Sequence, residues 1–577
     1  MELCYRVAFD SFLLSTASGF CDEIEALVSG YFPGFSIALS RAPFGPAKAA
    51  FAVEPPVLPI CVDEREALFG PLYFQPGDGV CPECLEYWLD LNFYDRTELQ
   101  ANPGSEVARA VAQQIAVWSR AVLSGLPLAD LTAGAVALTI NDRTTRWHPV
   151  FPRRTCPRCA DLARKAISSL RIHCSPWTGI VTWMELSSTA SAGAYRATCG
   201  WVPPLPINGA RKHLKRMNAY GRGGNCEEAA RGCIGEALER HSLIYRGDEH
   251  LVRARFSSLE AIHPDNIQLF SQSQYQGRRE WNAKTEEEFL VPEPFQPEIP
   301  ADWLEAQALG RGSGPAYVAA ACCLMWYQFP EGEPEFARAD TVGCGSGLTF
   351  DEALCHALLE WIERDAMAIW WDNRLKRPGV RLESFDSDEL ETIVEGLHAI
   401  GRDLFLLDCT TDIGIPAYVS VAPRFDGSEP LFAGAAHLSS YVAACKAATE
   451  VGQVWYEAKK SGGMASCLRS WLLRENTATQ PYLLPCGFVD APPESTQTAG
   501  DDVRIIVDRL EAAGLRAYAV DHGRPDILLQ TARAIVPGLR HIWNRRAPGR
   551  LYDVPVRMGW LERPLTEQQL NPIRCMI

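Results

Sequence analysis

A helix-forming pattern occurs twice in this chain, with every matched residue 124 positions apart. The first copy carries Gly221, Gly223, Glu228-Ala229, Glu236 and Glu239-Arg240. The second carries Gly345, Gly347, Glu352-Ala353, Glu360 and Glu363-Arg364. The shared pattern is G-x-G-x4-E-A-x6-E-x2-E-R. At about 100° per residue, the three glutamates of a copy fall within about 80° of one another on a helix. Each helix therefore presents an acidic stripe with an arginine at its edge. Around the second stripe the sequence is apolar, with Leu354, Ala357, Leu358, Leu359, Trp361, Ile362, Met367, Ile369, Trp370 and Trp371. A helix packed on most sides cannot carry bare carboxylates, so the stripe must be paired, protonated or bound to cations. Two arrangements satisfy this: a helix pair laced by Glu–Arg salt bridges, or a multi-carboxylate metal site. A single E-x-x-E-R favours the salt bridges. Repetition of all three acids at identical offsets favours one shared metal site.

Composition narrows the class. With 577 residues the chain has material for two or more domains. A formal charge of −16 without clustered Lys and Arg argues against nucleic-acid binding. The first twenty residues lack a basic leader, and the longest apolar run, Ala316 to Tyr327, is too short to span a bilayer. Neither a secretory signal nor a membrane anchor is expected, and twenty cysteines then read mostly as buried thiols of a cytoplasmic protein.

Four cysteines stand apart. Cys81-Pro82-Glu83-Cys84 and Cys156-Pro157-Arg158-Cys159 are knuckles whose paired thiolates can converge on one ion, and together they complete a Cys4 zinc site. The 71 residues between them exceed a single finger, so the ion would pin two distant turns in a structural role. Two unrelated buried C-x-x-C turns, or a redox pair in one of them, remain the alternatives. Residues 1–170 otherwise show short apolar runs and Pro/Gly turns: Tyr5–Leu14, a helix-like Asp22–Gly30, and a strand-like Gly134–Ile140 before an Asn141-Asp142-Arg143 turn.

From about residue 171 the pattern becomes α/β. Val318–Met325, Leu404–Leu407, Ala417–Ala422, Ile505–Leu510 and Leu515–Val520 read as α/β material, a mixture of strand-like and helical stretches, and Ala443–Lys459 forms another helix that carries Glu450 and Gln453. Gln276–Ala301 and the proline-rich Gly462–Asp501 read as exposed loops. Magnesium favours oxygen ligands and is usually held by one or two carboxylates plus substrate phosphates. Facing acid stripes would suit ions around a triphosphate, with the arginines on phosphate oxygens or orienting the carboxylates. No G-x4-G-K-[ST] precedes either helix, so a P-loop is excluded.

These residues resemble the YcaO family. The first stretch continues Glu239-Arg240-His241-Ser242 and the second opens with Gly343-x-Gly345-x-Gly347; both look like the branch that makes azoline rings in ribosomal peptides. Gly434-Ala435-Ala436-His437-Leu438, Glu450-x-x-Gln453, Val536-Pro537-Gly538 and Arg550 to Pro555 extend the likeness over residues 171–577. Residues 1–170 are similar to the zinc-binding ThiF-like α/β segment fused ahead of such enzymes, by Gly70-Pro71, Pro76-Gly77 and the two knuckles, but without a nucleotide loop or a winged-helix leader-binding element.

The resemblance implies an ATP- and Mg2+-dependent cyclodehydratase. Cys, Ser or Thr of a precursor peptide attacks the preceding carbonyl, the resulting oxygen is phosphorylated, and phosphate leaves to give thiazoline or oxazoline. Carried over by position, Glu236, Glu239, Glu352, Glu360 and Glu363 would bind magnesium, Arg240 and Arg364 would meet the phosphates, and Zn2+ would sit on Cys81, Cys84, Cys156 and Cys159. The implied partners are the precursor peptide, a separate leader-binding protein, a flavin dehydrogenase and a second copy of the chain; neither nucleic acid nor membrane is among them.

The chain departs from the pattern in several places. Gly232 replaces a common serine, Arg222 a common lysine and Leu348 a commonly polar residue. Ring-forming members often end in P-x-P-x-P, whereas this chain ends Leu570-Asn571-Pro572-Ile573-Arg574-Cys575-Met576-Ile577. The general-base candidates are His356, which faces the second stripe, and the terminal carboxylate of Ile577. The altered tail leaves two other readings open: backbone thioamide or amidine formation, and a non-catalytic scaffold that presents peptide.

Overall fold

The computed structural model describes residues 36–41, 57–62, 66–73, 75, 79–93, 113, 133–139, 144–153, 156–159, 170–189, 194–204, 217–285, 289–311, 314–457, 464–493 and 501–575. The fold is mixed α/β, as the alternating patterns predict. Its chain divides into two compact units. The first takes Met1–Met184, Cys199–Ala219 and Arg524–Leu528; the second takes Glu185–Thr198, Tyr220–Gly523 and Leu529–Ile577.

In the first unit, β1 (Ser36–Arg41), β2 (Val57–Val62), β3 (Glu66–Phe69), β4 (Gly134–Thr139) and β5 (Thr144–Pro149) form one sheet in sequence order. Only β1 and β2 pair in parallel. Strands β4 and β5 pair antiparallel, and the expected Asn141-Asp142-Arg143 turn between them lies outside the described residues. Helix α1 (Pro82–Phe93) begins inside the first knuckle and buries Leu85, Trp88 and Leu89. The Trp88 indole N–H donates to Phe151 O at 2.8 Å, tying the helix to the segment that leads to the second knuckle. The expected elements at Tyr5–Leu14 and Asp22–Gly30 lie outside the described residues.

Strands β6 (Val181–Thr189), β7 (Ala194–Trp201) and β8 (Met217–Gly223) form a three-stranded sheet. The second unit holds two larger sheets. One runs β11 (Pro315–Ala319), β10 (Ala301–Ala308), β18 (Tyr518–Asp521), β19 (Gln530–Ile535), β12 (Cys344–Gly347), with β9 (Val252–Ala254) also on β10. The other runs β16 (Leu431–Ala436), β15 (Ala417–Ala422), β14 (Phe405–Asp408), β13 (Gly379–Val380), β17 (Phe488–Val489).

Helix α2 (Cys226–Leu243) packs on β12 and β19. Helix α3 (Phe350–Asn373) packs on β12 and β19 of one sheet and on β15 and β16 of the other. That double burial explains its apolar circumference. Its C-terminal half seats Trp370 and Trp371 among Phe432, Trp471 and Tyr482, with Trp371 stacked on Phe432 at 4.6 Å. Helix α4 (Ser440–Glu457) covers β15 and β16, and α5 (Asp502–Ala512) packs on α3. Among the described residues no helix is long and apolar enough to cross a membrane.

Three local expectations need correction. Val318–Met325 changes from strand to a short helix at Ala320, because the small Ala-Ala-Cys-Cys run tolerates either backbone. Met464–Arg474 is a helix inside the segment read as loop, and Gln272–Asn282 is a helix entering the other. In the first case the prolines at 481, 485, 492 and 493 masked a helical run that ends before them.

Candidate functional site

Both acid-bearing helices begin in the same way. Asn225 caps α2 and Thr349 caps α3, each accepting the N–H of the third helical residue, Glu228 or Glu352. The glutamate replies: Glu228 Oε2 accepts Gly224 N at 3.0 Å, and Glu352 Oε2 accepts Leu348 N at 2.8 Å. The glycines before each helix serve close approach. A β-carbon at Gly221 would collide with the carbonyl oxygen of Ala229, and one at Gly345 with that of Ala353. The first glutamate of each copy is therefore exposed and bonded at the helix start. Glu352 stands about 12 Å along the axis from Glu360; both of its backbone bonds use Oε2, so Oε1 is not occupied by them.

Further along, the pairs match again. Glu236 Oε2 accepts Tyr220 N and Glu360 Oε2 accepts Gly343 N, both at 2.9 Å. Arg240 lies 3.5 Å from Glu236 and 3.7 Å from Glu239; Arg364 lies 3.5 Å from Glu360 and 3.3 Å from Glu363. The two stripes meet across β12: the Ser346 hydroxyl donates to Gly235 O at 3.5 Å and also bonds Glu239. A third wall closes the site where Arg222, near the end of β8, donates to Glu450 of α4 at 2.7 Å.

The electrostatics are those of an acid-rich cleft. Burial pushes the Glu239 carboxyl up to about 7; Arg240 opposes this, while Glu360 and Glu236 reinforce it. Burial pushes Glu363 up to about 8 against Arg364, with Glu450 and Glu360 adding to the rise. Glu360 is also raised, chiefly by burial, despite Arg364 and Arg240. Carboxylates held this way gain most from a cation.

The arginines report what is missing. Among the described residues, buried Arg364 Nε has no hydrogen-bond partner, and buried Arg240 Nη1 and Arg364 Nη1 meet Glu239 and Glu363 only as ion pairs, at 3.7 and 3.3 Å, without a hydrogen bond. Buried guanidinium nitrogens are costly to leave unpaired, and phosphate oxygens are the ligands their forked geometry fits. Acids for Mg2+ and arginine nitrogens without hydrogen bonds for phosphate occupy one cleft, so the residues present fit a metal–nucleotide pair.

His356 lies on α3 between Glu352 and Glu360, with Nδ1 3.0 Å from Ser346 O. Ile577 lies outside the described residues. The last described stretch is held against α3: Asn571 N donates to Asp372 O at 2.7 Å, and Trp371 Nε1 to Ile573 O at 2.8 Å. Buried Cys575 is among the groups acting electrostatically on Arg364. Lys446 and Ser346 were not singled out from sequence. Lys446 sits one turn before Glu450 on α4 and feels Arg222, Glu363 and Glu450. That i,i+4 spacing was the only local signal for it.

In the first unit, the sulfurs of Cys81, Cys84, Cys156 and Cys159 all lie within 4.8 Å of one another, and all four residues are buried. A tetrahedral zinc with bonds of about 2.3 Å sets sulfurs about 3.8 Å apart, and the Cys81–Cys156 pair is at 3.5 Å. Cys81 N donates to Cys159 Sγ and Arg153 N to Cys84 Sγ, as backbone N–H groups do around bound thiolates. Hydrogen bonds from Cys81 and Cys84 pull Cys159 down, and a hydrogen bond from Cys84 pulls Cys156 down; the donors are raised in turn. The donor set fits a structural zinc and no open catalytic one.

The site has counterparts elsewhere. The family described as YcaO cyclodehydratase, ATP- and Mg2+-binding, matches residues 220–540. An uncharacterised protein of Methanothermobacter thermautotrophicus is 26% identical over 333 residues, 55% of this chain and 80% of that protein. Among solved structures, a heterocyclase in complex with substrate and cofactor superposes with a TM-score of 0.84 at 27% identity, over 99% of this chain and 85% of that one. The heterocyclase TruD superposes with a TM-score of 0.75 at 26% identity, over 99% and 83%. The family match spans more than half of the chain and contains both acid stripes, so this protein belongs to the YcaO cyclodehydratase family of ATP- and Mg2+-binding enzymes.

Proposed function

We propose that this enzyme converts Cys, Ser or Thr residues of a ribosomal precursor peptide to azolines, using Mg2+-ATP to activate the backbone amide oxygen. The observation that carries the reading is the convergence of two acid stripes on buried arginine nitrogens that have ion-pair contacts but no hydrogen bonds among the described residues. The likeness to two heterocyclases along almost the whole chain supports ring formation over thioamide or amidine chemistry. A leader-binding protein separate from this chain, the partner implied by the sequence resemblance, would deliver the peptide.

An amide oxygen is a poor leaving group, and phosphorylation makes it a good one. Glu239, Glu360 and Glu363, with Glu236 beside them, would hold magnesium, which supplies charge neutralisation at the phosphates. Arg240 and Arg364 would clamp phosphate oxygens through the nitrogens that make no hydrogen bond to the described residues. Arg222, anchored by Glu450, would add a cation where related sequences commonly carry lysine. Glu352 would join only through Oε1, since Oε2 caps α3. In the first unit, Cys81, Cys84, Cys156 and Cys159 would hold zinc as a staple.

Calorimetric titration of Mg2+-ATP into the wild type, Glu239→Gln and Glu363→Gln tests the site. Micromolar, magnesium-dependent binding that both substitutions weaken by about 100-fold supports it. Equal affinity in all three proteins refutes it. Metal analysis of the wild type and Cys84→Ser tests the staple: one zinc per chain, lost in the variant, is expected, and a metal-free wild type refutes it.

A further inference from the structure

We propose that His356 and His437 form a complementary acid–base pair beside the acid stripes. His356 takes the proton of the attacking side chain, and His437 donates to the carbonyl oxygen under attack. This rests on the ring-forming reading above and assigns the residues that handle its protons.

The backbone decides the state of each ring. His356 Nδ1 lies 3.0 Å from the carbonyl oxygen of Ser346. A carbonyl can only accept, so Nδ1 carries the proton and Nε2 keeps its lone pair. His437 Nδ1 lies 3.0 Å from the backbone N–H of Ser439. An N–H can only donate, so this Nδ1 is bare and Nε2 carries the proton. One ring is set as a base and the other as a donor. Among the described residues, Nε2 of neither ring has a hydrogen-bond partner.

Position links the pair to the chemistry. His356 is one turn from Glu352 and one turn from Glu360 on α3, on the face that carries the acids. His437 leaves the end of β16 with its own N–H on Pro416 O at 3.1 Å, and Ser439 caps α4 by accepting Val442 N at 3.1 Å. The His437 imidazole is thus fixed by bonds on both sides. Burial, Lys446 of α4 and His356 of α3 hold its pKa down, with Asp502 of α5 opposing, which keeps the ring in its neutral donor form. Helix α3, which carries His356, packs directly on β16, the strand that His437 follows. Beside His437, Pro416, Leu438 and Ser440 line a cavity of about 560 Å³ that also takes in Asp408, Ile415 and Arg509. It offers a peptide mixed apolar and polar walls next to the donor ring.

In the addition step the side-chain sulfur or oxygen bonds to the preceding carbonyl carbon as its proton passes to His356 Nε2. The carbonyl π pair moves onto oxygen, where His437 Nε2–H stabilises the charge. That oxygen then attacks the γ-phosphorus, and ADP leaves with the pair from the broken P–O bond.

Three variants separate these roles. His356→Asn keeps a donor for Ser346 O and removes the base. His437→Asn keeps an acceptor for Ser439 N and removes the distal N–H; His437→Gln restores a distal N–H. The full chain with Mg2+-ATP is assayed on a pool of synthetic peptides with an internal Cys, at a concentration high enough to replace the effective concentration that a leader-binding protein supplies, reading loss of one water by mass and phosphate release. Ring formation is expected to fall about 100-fold in both Asn variants, with Mg2+-ATP affinity within about twofold. His437→Gln should regain about a tenth of the wild-type rate. Rings formed at near wild-type rate by both Asn variants, or loss that tracks Mg2+-ATP affinity, overturn the pair alone. A wild type that binds Mg2+-ATP and forms no ring overturns the ring-forming reading and the pair with it.

Discussion

The two copies of the acid-bearing unit make nearly the same bonds in different surroundings. Caps, the backbone bonds to Glu236 and Glu360, and the Glu–Arg–Glu forks agree within a few tenths of an ångström. What differs is cover. Helix α3 is buried between two sheets, and Arg364 is 16% exposed against 23% for Arg240. Glu450 presses on Glu363 in addition to the acids of the motif, and the Glu363 carboxyl is pushed up to about 8, against about 7 for Glu239. The motif sets the geometry of the ligands; the packing sets how much the charges cost. The α3 copy is the more strained charge site in the absence of a cation.

The largest expected effect sharpens that contrast. Arg364→Met removes the cation that most opposes the burial cost of Glu360 and Glu363, and should cost about 3–5 kcal/mol in denaturant melts. Arg240→Met, in the more open copy, should cost about half as much. Equal losses would break the asymmetry. Next comes nucleotide affinity: among α3-side variants, Glu450→Gln should weaken Mg2+-ATP binding about 10-fold by releasing Arg222, an effect Glu228→Gln on α2 should not show.

The titration of the two copies can be separated in the protein without ligand. Glu239 and Glu363 have folded pKa values above the ordinary 4.5, so the fold favours their neutral forms. Their contribution to stability is fully present below about pH 4.5 and is lost as pH rises through about 7 and about 8. The midpoint of thermal unfolding without nucleotide should therefore fall from pH 6 to pH 9, against Glu236, Arg240, Glu360, Arg364, Glu450 and Lys446, which face these groups. Glu239→Gln should remove the lower step and Glu363→Gln the upper one; an unchanged pH profile in both would refute the assignment. The smallest effect is at the caps, where Thr349→Ala and Asn225→Ala should each cost about 1 kcal/mol or less by thermal melt.

Much of the site was legible because its signals are local. The E-x-x-E-R spacing places acids and arginine on one face through i,i+3 and i,i+4 geometry, and the capping residues mark both helix starts. The knuckles announced a four-sulfur cluster by residue type alone. The contact between Arg222 and Glu450 was not legible, since 228 residues separate them and neither periodicity nor composition encodes that pairing. Nor was the bridge from Ser346 to the opposite stripe, or the opposed states of His356 and His437, which depend on whether a carbonyl or an N–H lies 3.0 Å away.

By itself, then, the sequence determined that two helices would each carry acids and an arginine on one face, and that four cysteines would come in two knuckles. Side-chain direction along a helix follows from 3.6 residues per turn, which needs no knowledge of the rest of the chain. Only the tertiary structure decided that β12 brings the two stripes together, that α4 closes them with Glu450, and that burial leaves arginine nitrogens without hydrogen bonds among the described residues and lifts carboxyl pKa values toward neutrality. Those properties depend on which distant segments exclude water from the charges, and desolvation is a property of the packed whole.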